Sequence, residues 1–296
     1  MSRECPHCSN QETCQSGRRK IVRAGWFRRK SDGQRVQRYH CTSCGRGFSS
    51  ATFSDCYRQN KRHFNHRVKM DFVEGVSMRG IARKQNLHRT TVKRKLIFLG
   101  VQALRNLERM NGRLPMVSHV QFDDQETCEQ SKYKPLSITI AVENKTRRIL
   151  DFEVSQSPPK HSLAKKAIER FGPRQDERKN GRRNLFTRLQ KIVRPDAIIE
   201  SDQNPHYPPD VRKFFPMASH VNYKGRRPRD HGTGELKKGF DPLFSLNHTC
   251  AMNRDRIKRL ARKTWAITKR REFLVLHLAI FADHHNRKLE TLQKYF

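Results

Sequence analysis

Three aspartates of the sequence follow apolar, β-branched segments that are typical of strands. Asp123 and Asp124 end the segment VQFDD, and Asp202 ends the segment IIESD. Carboxylates at the ends of two neighbouring strands can converge on divalent cations about 3.5–4 Å apart, which activate a nucleophile in phosphodiester chemistry. Mg²⁺ suits such oxygen ligands. Acids that only cap strands are common, so the pair, and neither aspartate alone, indicates a site for a hard cation.

Two CxxC pairs provide a second group of ligands near the start of the chain. Their members are Cys5, Cys8, Cys41 and Cys44. A gap of two residues lets both sulfurs of one turn reach the same ion, and four thiolates suit tetrahedral Zn²⁺. Disulfides or unused thiols are the alternative. Cys14 and Cys56 are spare, and His7 or His40 could replace a weak ligand.

The net charge indicates the partner of these sites. Lys and Arg total 63 against 28 Asp and Glu, so the formal net charge is 63 − 28 = +35. A chain this positive repels itself unless a polyanion neutralises it, which makes nucleic acid the expected partner. No apolar run approaches the ~18–20 residues of a membrane span. Eight cysteines in a basic chain favour a reducing compartment, and we expect bacterial cytoplasm and association with the nucleoid.

A basic helical segment lies between the cysteines and the aspartates. Helical patterns are predicted at Val68–Glu74, Ser77–Lys84 and Thr90–Leu99, with Ser77 as an N-cap. The last helix combines an apolar face with polar and basic residues expected to be exposed: Arg89, Thr91, Lys93, Arg94 and Lys95. A recognition helix in the major groove of DNA needs this division. The pattern favours a helix-turn-helix DNA-binding domain over a basic helical linker.

The elements that must position the aspartates form a mixed α/β pattern from residue 113 onward. Strands are predicted at Val117–Asp123, Pro135–Glu143, Arg148–Ser155, Ala197–Asp202 and His220–Tyr223. Helices are predicted at Ser162–Phe171, Asn184–Val193, Asp210–Phe215, Ser245–Ala266 and Glu272–Arg287, with RKNGRR and Lys224–Pro242 as loops. We therefore predict three domains: a zinc ribbon at 1–58, a helix-turn-helix at 59–112 and a mixed α/β sheet with helices at 113–296.

The order of these motifs resembles an insertion-sequence transposase of the DDE class, close to the family named for insertion sequence one. The motifs are CPHC, RYHCTSCGRGFS, the helix-turn-helix, VQFDD, IIESDQNPHY and LNHTCAMNRDRIKRLARKTWAITK. They cover nearly the whole chain, and the aspartate pair followed by the last motif is the discriminating part. The resemblance implies a ribonuclease-H-like catalytic domain in which Asp123 and Asp202 bind Mg²⁺. Asp124 stands where the family often has Glu.

The third acidic position of the family falls on Asn247. An amide oxygen can bind a hard cation but carries no negative charge, so we expect weaker metal binding. Glu235 and Asp255 are substitutes for Asn247 in a different register. Arg254 follows Asn247 by seven residues on the same predicted helix. It could grip a phosphate or the transposon end, or be one more cation of a basic helix.

The resemblance implies a transposase that acts on double-stranded DNA as a homo-oligomer. Such a protein binds the terminal repeats of its element, hydrolyses a phosphodiester there and joins the freed 3′ hydroxyl to target DNA. Two alternatives stay open at this point. One is a nuclease of the same fold without strand transfer, and the other is a DNA-binding regulator with a degenerate catalytic domain, which Asn247 favours.

Overall fold

The computed structural model describes residues 4–8, 21–160, 162–224, 241–261 and 266–293. The chain divides into two compact units, Met1–Arg67 and Val68–Phe296. The residues predicted as a separate helical domain at 59–112 fall mostly within the second unit. Cys14 and Glu235 lie outside the described residues.

The first unit contains a small antiparallel sheet. Its strands are β1 (Ile21–Arg28), β2 (Arg35–Cys41) and β3 (Gly47–Ser49), in the order β1-β2-β3. The predicted turn between the first two contains Gly33, whose φ of +68° favours glycine. Short 3₁₀ helices follow at Ser50–Phe53 and Arg62–Phe64. The buried residues of this unit include Tyr39, Phe48 and two of the cysteines.

Three helices follow at the predicted places, but the third continues past its predicted end at Leu99 to Asn111. They are α1 (Asn65–Val73), α2 (Met78–Lys84) and α3 (Arg89–Asn111). The Ser77 hydroxyl accepts a hydrogen bond from Gly80 N at 3.1 Å, so Ser77 caps α2 as predicted. Buried Asp71 joins α1 to α2, because its carboxylate accepts from Lys84 Nζ at 2.5 Å and Gln85 Nε2 at 2.7 Å.

A five-stranded mixed sheet forms the centre of the second unit, as the mixed α/β prediction requires. Its strands are β4 (Val117–Cys128), β5 (Pro135–Glu143), β6 (Ile149–Gln156), β7 (Val193–Asp202) and β8 (Ser219–Tyr223). The order across the sheet is β6-β5-β4-β7-β8. The pairs β6–β5 and β5–β4 are antiparallel, whereas β4–β7 and β7–β8 are parallel. The two aspartate-bearing strands are therefore central neighbours.

Helices cover both faces of this sheet. The remaining helices are α4 (Leu163–Phe171), α5 (Arg178–Leu189), α6 (Tyr207–Phe214), α7 (Phe244–Arg256) and α8 (Arg271–Gln293). Phe122 of β4 packs into one apolar core with residues of α5 and α6, including Phe186 and Tyr207. On the other face α7 contacts β4 and β5, and α8 contacts β6 and α3. In the described residues no helix has the length and apolar character that crossing a membrane requires.

The prediction of a loop at RKNGRR is wrong, because these residues are the first turns of α5. Arg182 within this segment is buried, and its guanidinium donates to Asp210 Oδ2 from Nε at 2.8 Å and from Nη2 at 2.6 Å. Gly181 lies so close to β6 that an added Cβ would be 1.9 Å from Ser155 Oγ. Tertiary partners thus stabilise a helix whose basic composition indicates a loop when it is considered alone.

Two further predictions need correction. The helix predicted to run from Ser245 to Ala266 ends at Arg256, because Ile257 is extended and buried and a 3₁₀ turn follows at Lys258–Leu260. Lys95, predicted to be exposed, is 2% exposed. It lies three residues after buried Val92, on the inward face of α3.

Candidate functional site

The two CxxC turns bring four thiols together in the first unit. Cys41 ends β2, Cys44 lies in the turn before β3, and Cys5 and Cys8 come from the first described residues. The four sulfurs all lie within 4.8 Å of one another. The Cys5 and Cys44 sulfurs are 3.7 Å apart, and those of Cys8 and Cys41 are 3.6 Å apart. Zinc bound to sulfurs at about 2.3 Å in a tetrahedron separates them by about 3.8 Å, so the thiols fit this ion.

The backbone around Cys41 favours its thiolate. Hydrogen bonds from backbone N–H groups, above all that of Cys44, lower the pKa of the Cys41 thiol to about 6. A lowered pKa makes the sulfur a better metal ligand at neutral pH, because only the deprotonated form binds. Cys56 is not part of the cluster, and its sulfur accepts a hydrogen bond from Asn65 Nδ2.

The register of β4 and β7 aligns Asp123 with Asp202. These parallel strands pair Gln121 with Glu200, and side chains alternate between the faces of a sheet. Two residues further along each strand, Asp123 and Asp202 therefore lie at the same level on the same face. The Gln121 amide donates to Glu200 Oε2 at 2.7 Å, so these two side chains are on the same face of the sheet. Asp123 and Asp202 follow them by two residues and share that face.

The surroundings of the two aspartates disfavour their negative charges. Burial, followed by the charge of Asp202, raises the pKa of Asp123 to about 7. Burial also raises the pKa of Asp202. A divalent cation between the carboxylates would offset both effects, because it supplies the positive charge that the site lacks. The pair therefore fits a hard cation with oxygen ligands.

Tyr207 of α6 contacts the Asp123 carboxylate. Its hydroxyl donates to Asp123 Oδ1 at 3.0 Å, and the backbone N–H of Asp124 donates to the same oxygen at 2.7 Å. Burial and the neighbouring carboxylates raise the pKa of Tyr207, so it stays a hydrogen-bond donor. Asp124 points to a different partner and accepts from Thr139 Oγ1 at 2.5 Å. Asp123 Oδ2 takes part in neither of these hydrogen bonds, so Asp123 is better placed than Asp124 to bind a cation.

Two glutamines of β4 hold α7 over the face that carries Asp123. The Gln121 amide accepts from Leu246 N at 3.0 Å and donates to Pro242 O at 2.8 Å. Gln125 Nε2 donates to Cys250 O at 3.1 Å. Because Asp123 lies between these glutamines in the alternation of the strand, both sets of hydrogen bonds position α7 relative to this carboxylate.

Asn247 lies on the exposed side of α7. Its Nδ2 donates to Asp241 Oδ2 at 2.9 Å, and the other oxygen of Asp241 accepts from Leu243 N at 3.1 Å. Within the described residues we find no hydrogen bond from Asn247 to Asp123 or Asp202. Of the substitutes, Asp255 is 75% exposed in its side chain and pairs with Arg256 at 3.1 Å. Among the described residues, three or more potential ligand atoms of His, Cys, Asp or Glu cluster only at the four cysteines.

Arg254 and Asp123 act on the same buried thiol. Burial, then the charge of Asp123, raises the pKa of Cys250 to about 12, whereas the charge of Arg254 acts in the opposite direction. Cys250 is one helical turn before Arg254 on α7. Arg254 therefore lies on the same side of α7 as the buried Cys250.

The residues predicted to bind DNA cluster at the start of α3. Arg89, Lys93 and Arg94 are exposed, and Thr91 is half-buried. The ammonium group of Lys93 lies 5.5 Å from the centre of the Phe273 ring of α8. Arg89 and Arg94 are thus the cations of this set that point most freely to solvent.

A groove of about 730 Å³ lies elsewhere in the second unit, between α3, α5 and α8. Its lining includes Ile97, Val101 and Phe273. One of its acidic residues, Glu177, pairs with Arg271. The groove contains neither Asp123 nor Asp202, so the candidate metal site is distinct from it.

Several residues of the site were not predicted from the sequence. Tyr207 follows Asp202 within the motif SDQNPHY, and only the fold brings its hydroxyl to Asp123. Gln121 had a signal, because the polar residues at 121 and 123 alternate with apolar Val120 and Phe122, whereas Gln125 had none, because it lies between Asp124 and Glu126. No protein-family model matches the sequence, and no curated protein matches it significantly.

Proposed function

We propose that this protein is a DNA transposase that binds the terminal repeats of its element, hydrolyses a phosphodiester there and joins the 3′ hydroxyl to target DNA. The observation that carries the proposal is the alignment of Asp123 and Asp202 on adjacent parallel strands with raised pKa values. The mixed sheet order β6-β5-β4-β7-β8 is compatible with the ribonuclease-H-like fold that the motif order implies.

In this proposal Asp123 and Asp202 hold Mg²⁺ through their carboxylate oxygens. When bound, Mg²⁺ supplies charge that activates a nucleophile and stabilises a leaving oxygen. Tyr207 holds Asp123 in one orientation through its hydroxyl, and Gln121 and Gln125 fix α7 over the site. Arg254 contacts a phosphate of the DNA end.

The other modules bind zinc and DNA. Cys5, Cys8, Cys41 and Cys44 hold one structural Zn²⁺, which the sulfur distances support. Duplex DNA contacts the exposed face of α3 through Arg89, Thr91, Lys93 and Arg94. The formal charge of +35 supports a polyanionic partner, and the protein acts as a homo-oligomer on DNA in the nucleoid.

One observation favours a second candidate, a DNA-binding regulator with a degenerate catalytic domain. Asn247 is uncharged, exposed and engaged with Asp241, which leaves the carboxylate pair without a third acid from that position. A regulator would bind the same repeats and cleave nothing. A nuclease of the same fold would cleave and join nothing.

The proposal is tested with duplexes that carry the element ends, a supercoiled target plasmid and Mg²⁺. We expect Asp123→Ala and Asp202→Ala each to abolish cleavage and joining and to leave binding to the ends within about twofold, because the substitutions remove the metal ligands only. Asp196→Ala is the matched control, since Asp196 also lies on β7 but is exposed and pairs with Arg194 at 2.7 Å.

The outcomes separate the three candidates. Products joined to the plasmid identify a transposase, whereas nicked ends without joined products identify a nuclease. Wild-type protein that binds the ends and leaves them intact identifies the regulator. Wild-type cleavage by Asp123→Ala or Asp202→Ala would remove that residue from the metal site.

A further inference from the structure

The hairpin of β1 and β2 in the first unit exposes a tryptophan beneath an arginine. Trp26 of β1 is 49% exposed, and the Arg35 guanidinium carbon is 3.8 Å from the centre of its ring. This distance is that of a guanidinium stacked on an aromatic face, a cation–π contact that holds both groups in place. Arg35 lies over one face of the ring, and about half of the Trp26 surface stays accessible.

A bulge in β1 sets the direction of this tryptophan. The register shifts between Arg23 and Trp26, and Gly25 within the bulge has a φ of +73°. Gln37 Nε2 donates to Gly25 O at 2.5 Å, which fixes the bulged backbone. Bulges re-aim side chains and are typical of sites where a strand edge meets a ligand.

Cations surround Trp26 on the same face of the hairpin. The pairs Trp26–Gln37 and Arg28–Arg35 place Trp26, Arg28 and Arg35 on one face, and both arginines are exposed. Residues 21–67 contain 11 Lys and Arg against Asp32 and Asp55, a balance of 11 − 2 = +9. Asp32 is itself neutralised by Arg29 at 2.5 Å. The accessible ring therefore lies in a positive field.

We propose that this face, formed by Trp26, Arg28 and Arg35, binds an unpaired DNA strand. One base stacks on the free face of Trp26, and the two arginines contact the flanking phosphates. Bases within a duplex stack on one another and present only their edges in the grooves, so a ring on a hairpin surface can stack only on an unpaired base. Stacking tolerates any base, because every base has a π-face.

This assignment goes beyond the transposase proposal, because it gives the first unit a ligand different from the duplex repeats. The test of this assignment does not depend on DNA cleavage, because binding of a single strand is measured without Mg²⁺. Its failure would leave duplex binding and cleavage untouched.

Fluorescence tests the proposal directly. The chain has two tryptophans, so the full-length Trp265→Phe protein reports on Trp26 alone. We expect titration with a dT12 oligonucleotide to quench this fluorescence, and a 12-base-pair duplex to quench it much less. An rU12 oligonucleotide should bind more weakly than dT12, and tighter binding of rU12 would overturn the assignment to DNA.

Substitutions on the same face give the second readout. Trp26→Ala should weaken binding of dT12 by about 5- to 150-fold, the effect of one base–aromatic stack, and change binding of the duplex less than twofold. The affinity of Trp26→Phe for dT12 should fall between those of the wild type and Trp26→Ala, because phenylalanine keeps an aromatic ring. Arg35→Lys keeps the charge and loses the planar group over Trp26, so it should also weaken binding of dT12.

Three further results would overturn the proposal: no quenching of Trp26 by dT12, unchanged affinity of Trp26→Ala for dT12, or an equal loss of affinity for dT12 and the duplex. Zinc content monitors the fold of each variant. The quenching experiment decides the question even for a Trp26→Ala protein that does not fold, because it leaves Trp26 in place.

Discussion

The carboxyl group of Asp123 is subject to two opposing effects. Its Oδ1 accepts hydrogen bonds from Tyr207 OH and Asp124 N, which favour the charged form. Burial and the charge of Asp202 disfavour that form and raise the pKa of Asp123 to about 7. Donors to the carboxylate favour its charge, but here burial outweighs them. A bound cation would stabilise two charged carboxylates at this level of the sheet.

At the residue scale, Asn247 and Asp241 give opposite expectations for the third ligand. With Asn247 as the ligand, Asn247→Ala cripples Mg²⁺-dependent cleavage. Asn247→Asp then keeps activity or lowers the Mg²⁺ requirement, because an anionic oxygen holds a hard cation more tightly. The measurement is the cleavage rate against Mg²⁺ concentration, with Asp255→Ala as the control that should change little.

The hydrogen bond from Asn247 to Asp241 defines the contrary outcome. A second carboxylate at position 247 would repel Asp241, whose Oδ2 is 2.9 Å from the amide nitrogen. If Asp241 is the third ligand, the Asp241→Ala protein does not cleave DNA. Asn247→Asp then lowers the cleavage rate more than Asn247→Ala does. A silent Asn247→Ala with an inactive Glu235→Ala would move the third position to Glu235.

At the element scale, close contacts between helices and strands set the geometry of the second unit. The start of α7 is fixed by Gln121 and its middle by Gln125, both from β4. Helix α8 packs against α3. Its residue Asn286 accepts a hydrogen bond from Ile149 N of β6 and donates one to Ile149 O. Helix α3 is thus packed on a helix that contacts the central sheet.

Gly100 marks the closest approach of α3 to α8. A Cβ at this position would lie 2.6 Å from Leu276 Cβ and 3.0 Å from its Cα, so the helices would have to separate. We expect Gly100→Ala to lower the free energy of unfolding by about 1–3 kcal/mol, because overpacking outweighs the ~1 kcal/mol gain in helix propensity. Urea denaturation measures the change.

Gly112 is the matched control, because it ends the same helix. An added Cβ there would meet Glu108 O at 3.6 Å, an ordinary contact. Gly112→Ala should therefore change the free energy of unfolding by less than about 0.5 kcal/mol. Equal stability of Gly100→Ala and wild type would show that α3 and α8 do not approach this closely.

The zinc prediction also belongs to the element scale, because the cysteines join the β2–β3 turn to the first described residues. Purified protein should hold about one Zn²⁺ per chain. Cys41→Ser should lose it and increase hydrogen exchange in β1–β3, since structural zinc contributes directly to folding. Cys56→Ser is the control that should keep the ion. Elemental analysis that finds no zinc in protein purified without a chelator would refute the prediction.

At the scale of the whole molecule, the charge of +35 leads us to expect that binding of the proposed partner, duplex DNA, depends on salt. Affinity for duplex DNA should fall steeply with salt, at a log–log slope of about −0.9 for each phosphate neutralised. Arg94→Ala should reduce that slope by about 0.9, because an exposed arginine of α3 releases about one counterion. Fluorescence anisotropy of a labelled duplex at several salt concentrations measures both.

Arg194→Ala provides the control for this experiment, because Arg194 is exposed but paired with Asp196 on β7. Its slope should equal that of the wild type. A nearly flat dependence of affinity on salt would mean that the charge serves a partner other than DNA.

Local sequence was sufficient for most elements and for the residue types of both sites. The apolar, β-branched composition of Pro135–Glu143 and the cap at Ser77 are local features, and the strand and the cap predicted from them are confirmed. The CxxC spacing likewise determined that each pair of thiols lies in one turn. The same local reasoning placed Asp202 correctly at the end of its strand, but its prediction that the first strand ends at Asp123 is wrong, because β4 continues to Cys128.

Tertiary structure decided what these residues contact. The helical start of α5 depends on Asp210, and the burial of Lys95 depends on how α3 packs, so neither follows from composition. The parallel register of β4 and β7 brings Asp123 to Asp202 across 79 positions of the sequence, as the Gln121–Glu200 hydrogen bond indicates. Tyr207 enters the site from α6, through its hydrogen bond to Asp123. Such contacts depend on the packing free energy of the whole core, which selects one arrangement of the elements. A short segment of sequence does not determine that free energy.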